Sequence, residues 1–196
     1  MIGRLLLRIR ELGYCESLPM RFMGGCLLVL SEFEARVLRP HEKTWFRNAY
    51  LRNRGVIFST PCYFSQGFRL FRAGSLRIGP RASFGENCGL YVHADIVIGS
   101  DFIAAPGLTI NNGTHDLKTL EPSSLPISIG DRVWCGVNVT LVAGAQIGDD
   151  CVIGANSLVM TAIPPRSLAV GTPARVIRSD LRTADDPNIW SGYDTH

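Results

Sequence analysis

A large aliphatic residue returns at every sixth position through the middle of this chain, most regularly in CGVNVT, LVAGAQ, IGDDCV and IGANSL between Cys135 and Leu158. An amphipathic helix repeats near 3.6 residues and a two-faced strand near 2, so neither produces a period of six. A coil of short strands joined by tight corners does. At each corner the aliphatic residue points inward and the glycine that often follows it permits the bend. The small residue four places later, such as Ala82, Cys88, Ala145 or Cys151, fits a narrow interior.

The count starts at Ile78 with IGPRAS, FGENCG and LYVHAD, slips by two after Ile96 and Val97, and restarts as IGSDFI, AAPGLT and INNGTH. It then breaks. The stretch TINNGTHDLKTLEPSSLP, Thr109 to Pro126, carries His115 at the start of an excursion of about ten residues, and the count resumes from Ile129 until Pro164 and Pro165 end it. Stacked coils bury a continuous core that no single coil can bury, and a column stabilised only by neighbouring coils needs covers at its ends. The expected organisation is therefore a partly helical cap over residues 1–66, with helix-like stretches at Met1 to Leu12 and Phe33 to Tyr50. A β-helix follows over 67–178, with an excursion at about 111–126, and a short tail over 179–196 whose Trp190 and Tyr193 are expected to dock on the body.

A net charge of +3, with no basic run interleaved with aromatics, argues against nucleic acid as a partner. The basic excess lies at the N-terminus, where MIGRLLLRIR reads either as a helix packed on a neighbour or as a basic amphipathic helix on an anionic membrane face. The apolar run Phe22 to Leu30 is shorter than a spanning helix requires and no signal peptide precedes it, so a cytoplasmic location is expected. Six cysteines without CxxC spacing read as small buried hydrophobes, and no metal is expected.

The repeat, the histidine in NNGTHD and the closing GTPARVIR, Gly171 to Arg178, resemble the hexapeptide-repeat acyltransferases. The similarity is greatest to the sugar and polysaccharide O-acetyltransferases. On the motifs, the resemblance covers about residues 68–178. It implies a mainly β fold, a left-handed parallel β-helix, assembled as a homotrimer with active sites in clefts between subunits and acetyl-CoA as co-substrate. His115 then stands in the place of the catalytic base. Asn87, in NCGLYVHADIVIG, stands where the family has an asparagine that binds the acceptor hydroxyl, with His93 and Asp116 as further acceptor contacts. For CoA, the resemblance implies backbone groups around Gly136, Val137 and Ala155, a channel wall at Trp134, a contact at Thr161, and phosphate binding by Arg175 and Arg178. Met160-Thr161-Ala162 replaces the family's usual Thr-Lys-Asp, which shifts phosphate binding toward arginine.

The chemistry suits these residues. An alcohol must shed its proton as it attacks a thioester, and a histidine titrating near neutrality is an apt base, worth typically 10²–10⁴ in rate. CoA already delivers an activated acyl group, so no acyl-enzyme is needed, and Cys135, in an inward position of the repeat, is not expected to be a nucleophile. The expected activity is acetyl transfer to a hydroxyl of a sugar or glycan precursor. An amino-sugar nitrogen, or a small molecule such as an antibiotic or amino acid, remains as alternative acceptor. A γ-carbonic-anhydrase-like zinc site lacks its pair of histidines, since His93 and His115 stand far apart in sequence. A non-catalytic trimeric scaffold is the remaining alternative.

Overall fold

The structure, a computed structural model, describes residues 29–30, 45–58, 62–72 and 74–181. The basic stretch MIGRLLLRIR, Cys15, Cys26 and the tail aromatics Trp190 and Tyr193 lie outside them. Residues 29–30 are helical, and one short helix, Trp45–Asn53, precedes the strands. Among the described residues after it, the strands form a parallel β-helix, as the period of six predicts, apart from one antiparallel hairpin and one antiparallel closing strand.

Three sheets make three walls. The first runs through Ile57–Phe58, Leu76–Ile78, Ile96–Ile98, Ile127–Ile129, Gln146–Ile147 and Ala162–Ile163. The second runs through Tyr63–Phe64, Ser83–Phe84, Ile103–Ala104, Trp134–Cys135, Val152–Ile153 and Leu168–Gly171, and is closed by the antiparallel strand Ala174–Arg178. The third contains Arg69–Arg72, Gly89–Val92, Thr109–Asn111, Thr140–Val142 and Leu158–Val159. Each coil is thus one rung on each wall. The first rung begins at Ile57, ahead of the boundary expected at residue 67.

The inward positions are those the repeat marks. Ile78, Phe84, Leu90, Leu141, Ile147 and Ile153 are buried, and so are the small residues Ala82, Cys88, Val139, Ala145, Cys151 and Ser157 beside them. Leu51 at the end of the helix and Val56 join the same core, so the helix covers its first rung.

The glycines of the repeat do a different job from the one expected. Gly79 and Gly136 do not have positive φ. They are glycine because the next coil passes too close: a β-carbon on Gly79 would stand 2.5 Å from the carbonyl carbon of Gly99, and one on Gly136 would stand 2.7 Å from the amide nitrogen of Ala155. The left-handed bend falls two residues later, at Arg81 and Asn138 for example, where φ is 58° and 56°. Polar side chains offset the strain of that conformation with bonds of their own. Along the corner between the first and second walls, Arg81 pairs with Asp101 at 2.5 Å, Arg132 with Asp150 at 2.6 Å and Arg166 with Asp180 at 3.1 Å, so these side chains bridge successive coils.

The slips in the count have one location. Inward residues are six apart across the first corner (Ile78 to Phe84) and the second (Phe84 to Leu90), but Leu90 to Ile98 spans eight across the third corner, between the third and first walls. Ile110 to Ile129 spans nineteen there, and Leu141 to Ile147 is six again. The slip of two and the large excursion are therefore insertions at the same edge of the prism, on successive coils.

Candidate active site

The excursion is folded. Gly113–His115 and Pro122–Ser124 form an antiparallel hairpin, with Thr114 opposite Ser123 and His115 opposite Pro122. Its root is fixed by a residue the sequence reading passed over. Asn112 is fully buried, and its Oδ1 accepts the backbone N–H of His93 at 2.7 Å and of Ala94 at 3.2 Å. Its own backbone N–H bonds Tyr91 O, and its carbonyl accepts from Leu125 N. The hairpin is thereby tied to the coil below it. Neighbouring Asn111 adds a local bond, its Oδ1 accepting the N–H of Gly113. A β-carbon at position 113 would stand 2.7 Å from Cδ2 of the His93 ring, so a side chain there would displace the imidazole that now lies against Gly113.

The tip is closed by Asp116. Its Oδ1 accepts from the backbone N–H groups of Lys118 and Thr119 at 2.8 and 2.9 Å, and from the Thr119 hydroxyl at 3.2 Å. These donors, Thr119 first, hold its carboxyl below the ordinary aspartate range. The Asp116 carboxylate, expected among the acceptor contacts, is engaged in building the turn.

His115 is exposed, and its Nδ1 lies 2.9 Å from the carbonyl oxygen of Leu120. A carbonyl can only accept, so Nδ1 carries the hydrogen in the neutral ring. The lone pair is then on Nε2, at the free side of the imidazole. Leu120 presents that carbonyl from a left-handed backbone, φ 57°, and its N–H bonds Asp116 O at 2.9 Å.

The expected site residues divide between two edges of the prism. His93, His115, Asp116 and Thr161 lie at the third corner. Asn87, Gly136, Val137 and Ala155 lie at the second, and Trp134 stands beside that corner on the second wall. Arg175 follows the turn that continues that edge, where Thr172 Oγ1 donates to Asn156 O. Arg178 is farther along the second wall, opposite Leu168. Asn87 and His93 are two ends of one outward-facing row, Asn87-Gly89-Tyr91-His93, so the third wall separates the two groups within a chain. Its outer surface there carries Tyr91 stacked on Phe71, ring centroids 4.9 Å apart.

The cysteines among the described residues are free thiols in the core. Burial pushes the Cys88 thiol up to about 11 and raises Cys135 further, which leaves no thiolate for nucleophilic attack. No group of three His, Cys, Asp or Glu side chains that could hold a metal ion lies among the described residues. No helix among them is long and apolar enough to cross a membrane.

A prism of six-residue turns with a histidine hairpin at one edge defines a class, and the comparisons agree with it. Residues 126–160 match the family described as "Hexapeptide repeat of succinyl-transferase". The galactoside O-acetyltransferase of Escherichia coli strain K12 is 34% identical over 195 residues, covering 91% of this chain and 88% of that protein. The chain belongs to the hexapeptide-repeat acetyltransferases and is an enzyme of acyl transfer. Within them it falls in the sugar O-acetyltransferase branch. The solved maltose O-acetyltransferase of Clostridium difficile 630 superposes with a TM-score of 0.57 at 26% identity, over 81% of this chain and 86% of that one. A hexapeptide-repeat acetyltransferase of Vibrio cholerae O1 biovar eltor, solved with acetyl coenzyme A, gives 0.53 at 26% identity over 84% and 88%. The similarity to the galactoside enzyme reaches well beyond the 68–178 stretch that carries the motifs.

Proposed function

We propose that this enzyme transfers the acetyl group of acetyl-CoA to a hydroxyl of a sugar or glycan precursor, with His115 as general base. The observation that carries the reading is the bond between His115 Nδ1 and the Leu120 carbonyl, which in the neutral ring puts the lone pair on Nε2 at an exposed hairpin edge. Nε2 takes the proton of the acceptor hydroxyl as its oxygen attacks the thioester carbonyl, and the C–S bond breaks as the tetrahedral adduct collapses. The proton then returns from the imidazolium to the departing CoA sulfur. The names and bound ligand of the relatives support acetyl-CoA and a sugar acceptor.

The division of residues between two edges supports a site shared by copies. The third corner of one copy, with His115 and His93, faces the second corner of the next, with Asn87 on the acceptor and Gly136, Val137 and Ala155 along the pantetheine arm. Trp134 lines that channel and Arg175 and Arg178 meet the nucleotide phosphates. A closed ring of such contacts around a common axis is a cyclic oligomer, and the family resemblance makes it a homotrimer. The chain acts as a cytoplasmic enzyme in this reading.

The test is a thiol-release assay with acetyl-CoA across sugars, nucleotide sugars and glycan fragments, repeated with His115→Ala. Turnover should fall by at least about a hundredfold while acetyl-CoA affinity, measured by calorimetry, stays near that of the wild type. Retained turnover removes His115 as the base.

A further inference from the structure

Asn112 is the only asparagine of the chain that is followed by glycine. Asparagine is thermolabile because the next backbone nitrogen can attack its side-chain carboxamide, and a glycine in that next place, without a β-carbon, hinders the approach least. The step balances with a water molecule as the one co-reactant. The Gly113 nitrogen forms a bond to Cγ of Asn112, the bond from Cγ to Nδ2 breaks, and the amide hydrogen of Gly113 leaves with Nδ2 as ammonia. Water then opens the cyclic imide at either carbonyl. One opening gives aspartate, and the other, with the main chain rerouted through the side-chain carbon, gives isoaspartate.

The fold holds both reacting groups away from this step. The Asn112 side chain is fully buried, its Oδ1 accepts the N–H groups of His93 and Ala94 at 2.7 and 3.2 Å, and its Nδ2 reaches Asp95 O at 3.5 Å. The Gly113 nitrogen attacks once its proton is lost, and that N–H is donated to Asn111 Oδ1 at 3.0 Å. The His93 ring lies against the same glycine. Ring closure therefore has to break the bonds that tie the hairpin to the coil below it, and it proceeds only while the root is open. The product does not fit back. Aspartate puts a carboxylate oxygen in the place of Nδ2, facing the Asp95 carbonyl, so an acceptor meets an acceptor in a buried position. Isoaspartate lengthens the main chain by a carbon between the N–H that bonds Tyr91 O and the strand Gly113–His115, which throws Gly113 out of register with Ser124.

We propose that Asn112 is a latent modification site, exposed when the hairpin root opens, and that its conversion to aspartate or isoaspartate irreversibly releases the hairpin that carries His115. Asn111 then acts as a guard, keeping the proton on the Gly113 nitrogen. The loss of turnover that follows rests on the catalytic reading of His115 given above. The conversion itself and the release of the hairpin do not.

The experiment incubates the wild type and Asn111→Ala in mildly alkaline buffer and follows conversion at residue 112 by peptide mass mapping. The folded wild type should convert at least about a hundredfold more slowly than the same chain unfolded in urea, because conversion tracks the population of the open root. Asn111→Ala removes one bond from the closed root and frees the nucleophile, so it should convert about three- to tenfold faster than the wild type. Equal rates in the folded and unfolded wild type, or an unchanged rate in Asn111→Ala, overturn the gated site. Fully converted protein, and Asn112→Asp made directly, should lose amide-exchange protection across Gly113–His115 and at least about tenfold in turnover. Retained protection in the converted protein overturns the release of the hairpin. Lost protection with full turnover removes His115 as the base and leaves the modification site standing.

Discussion

Replacing Asn112 with alanine should loosen the hairpin that carries His115 and destabilise the whole protein. The Asn112 side chain accepts two backbone N–H groups, from His93 at 2.7 Å and Ala94 at 3.2 Å, and its Nδ2 reaches the Asp95 carbonyl at 3.5 Å. Alanine leaves two donors without an acceptor beneath a fully buried position. An unsatisfied buried polar group costs about 1–3 kcal/mol, and one of the two donors belongs to exposed His93, where water can compensate. The expected loss is about 3 kcal/mol, which for a domain of this size lowers Tm by roughly 6–12 °C. Asn111→Ala is the internal control. It removes one bond, to Gly113 N at 3.0 Å in a partly buried position, and should cost about 1 kcal/mol and roughly 2–4 °C. Differential scanning fluorimetry measures both, and thiol release at 25 °C shows whether the Asn112 variant also loses turnover while still folded. Equal Tm shifts for the two variants, or an Asn112 variant within a degree of wild type, would refute the claim that this side chain anchors the hairpin.

The tip should respond to acid. Because the Asp116 carboxyl is lowered in the folded protein by the N–H groups of Thr119 and Lys118, its contribution is complete above the unfolded value of about 3.9 and is lost as pH falls through the lower folded value. Hydrogen exchange at the Lys118 and Thr119 amides should therefore stay protected at pH 5 and accelerate, beyond the intrinsic pH effect, only below about pH 4. Accelerated exchange already at pH 5 contradicts the sign. Cys135→Ala should keep turnover within about twofold, because a buried thiol whose proton is held this firmly supplies no nucleophile. A hundredfold loss in a folded Cys135→Ala protein would instead mark it as catalytic.

The walls of the prism were legible in the sequence because the period of six reports on burial directly. Each of Ile78, Phe84, Leu90, Ile147 and Ile153 must point into the core, and no other regular structure has that spacing. The role of the glycines was not legible. Proximity of Gly79 to Gly99 is a contact between coils, and a bend and a close approach leave the same mark in one sequence. The excursion was visible as a break but not as a hairpin, since Pro122, Ser123 and Ser124 lack strand-forming character, and Asn112 pins the root by a bond 19 residues back in the chain. The place of Asp116 beside His115 is what the sequence displays; that its Oδ1 also closes the turn through Lys118 and Thr119 is a matter of backbone geometry that the sequence does not display. The first rung at Ile57 lies ahead of the count that starts at Ile78, although Phe58, Phe64 and Leu70 stand six apart as the later inward residues do.

Asn87 and His115 stand on opposite edges of the third wall of one chain, so a site that uses both must be built from two chains. Mixed assemblies test this directly. His115→Ala and Asn87→Ala, each expected to be weakly active alone, are unfolded together, refolded at equal ratio and assayed for thiol release. In a randomly mixed ring, one interface in four brings an intact His115 from one copy to an intact Asn87 from the next, so the mixture should recover about a quarter of the wild-type rate. A mixture no more active than its two parents, with co-assembly verified by mass, would mean that each site lies within a single chain.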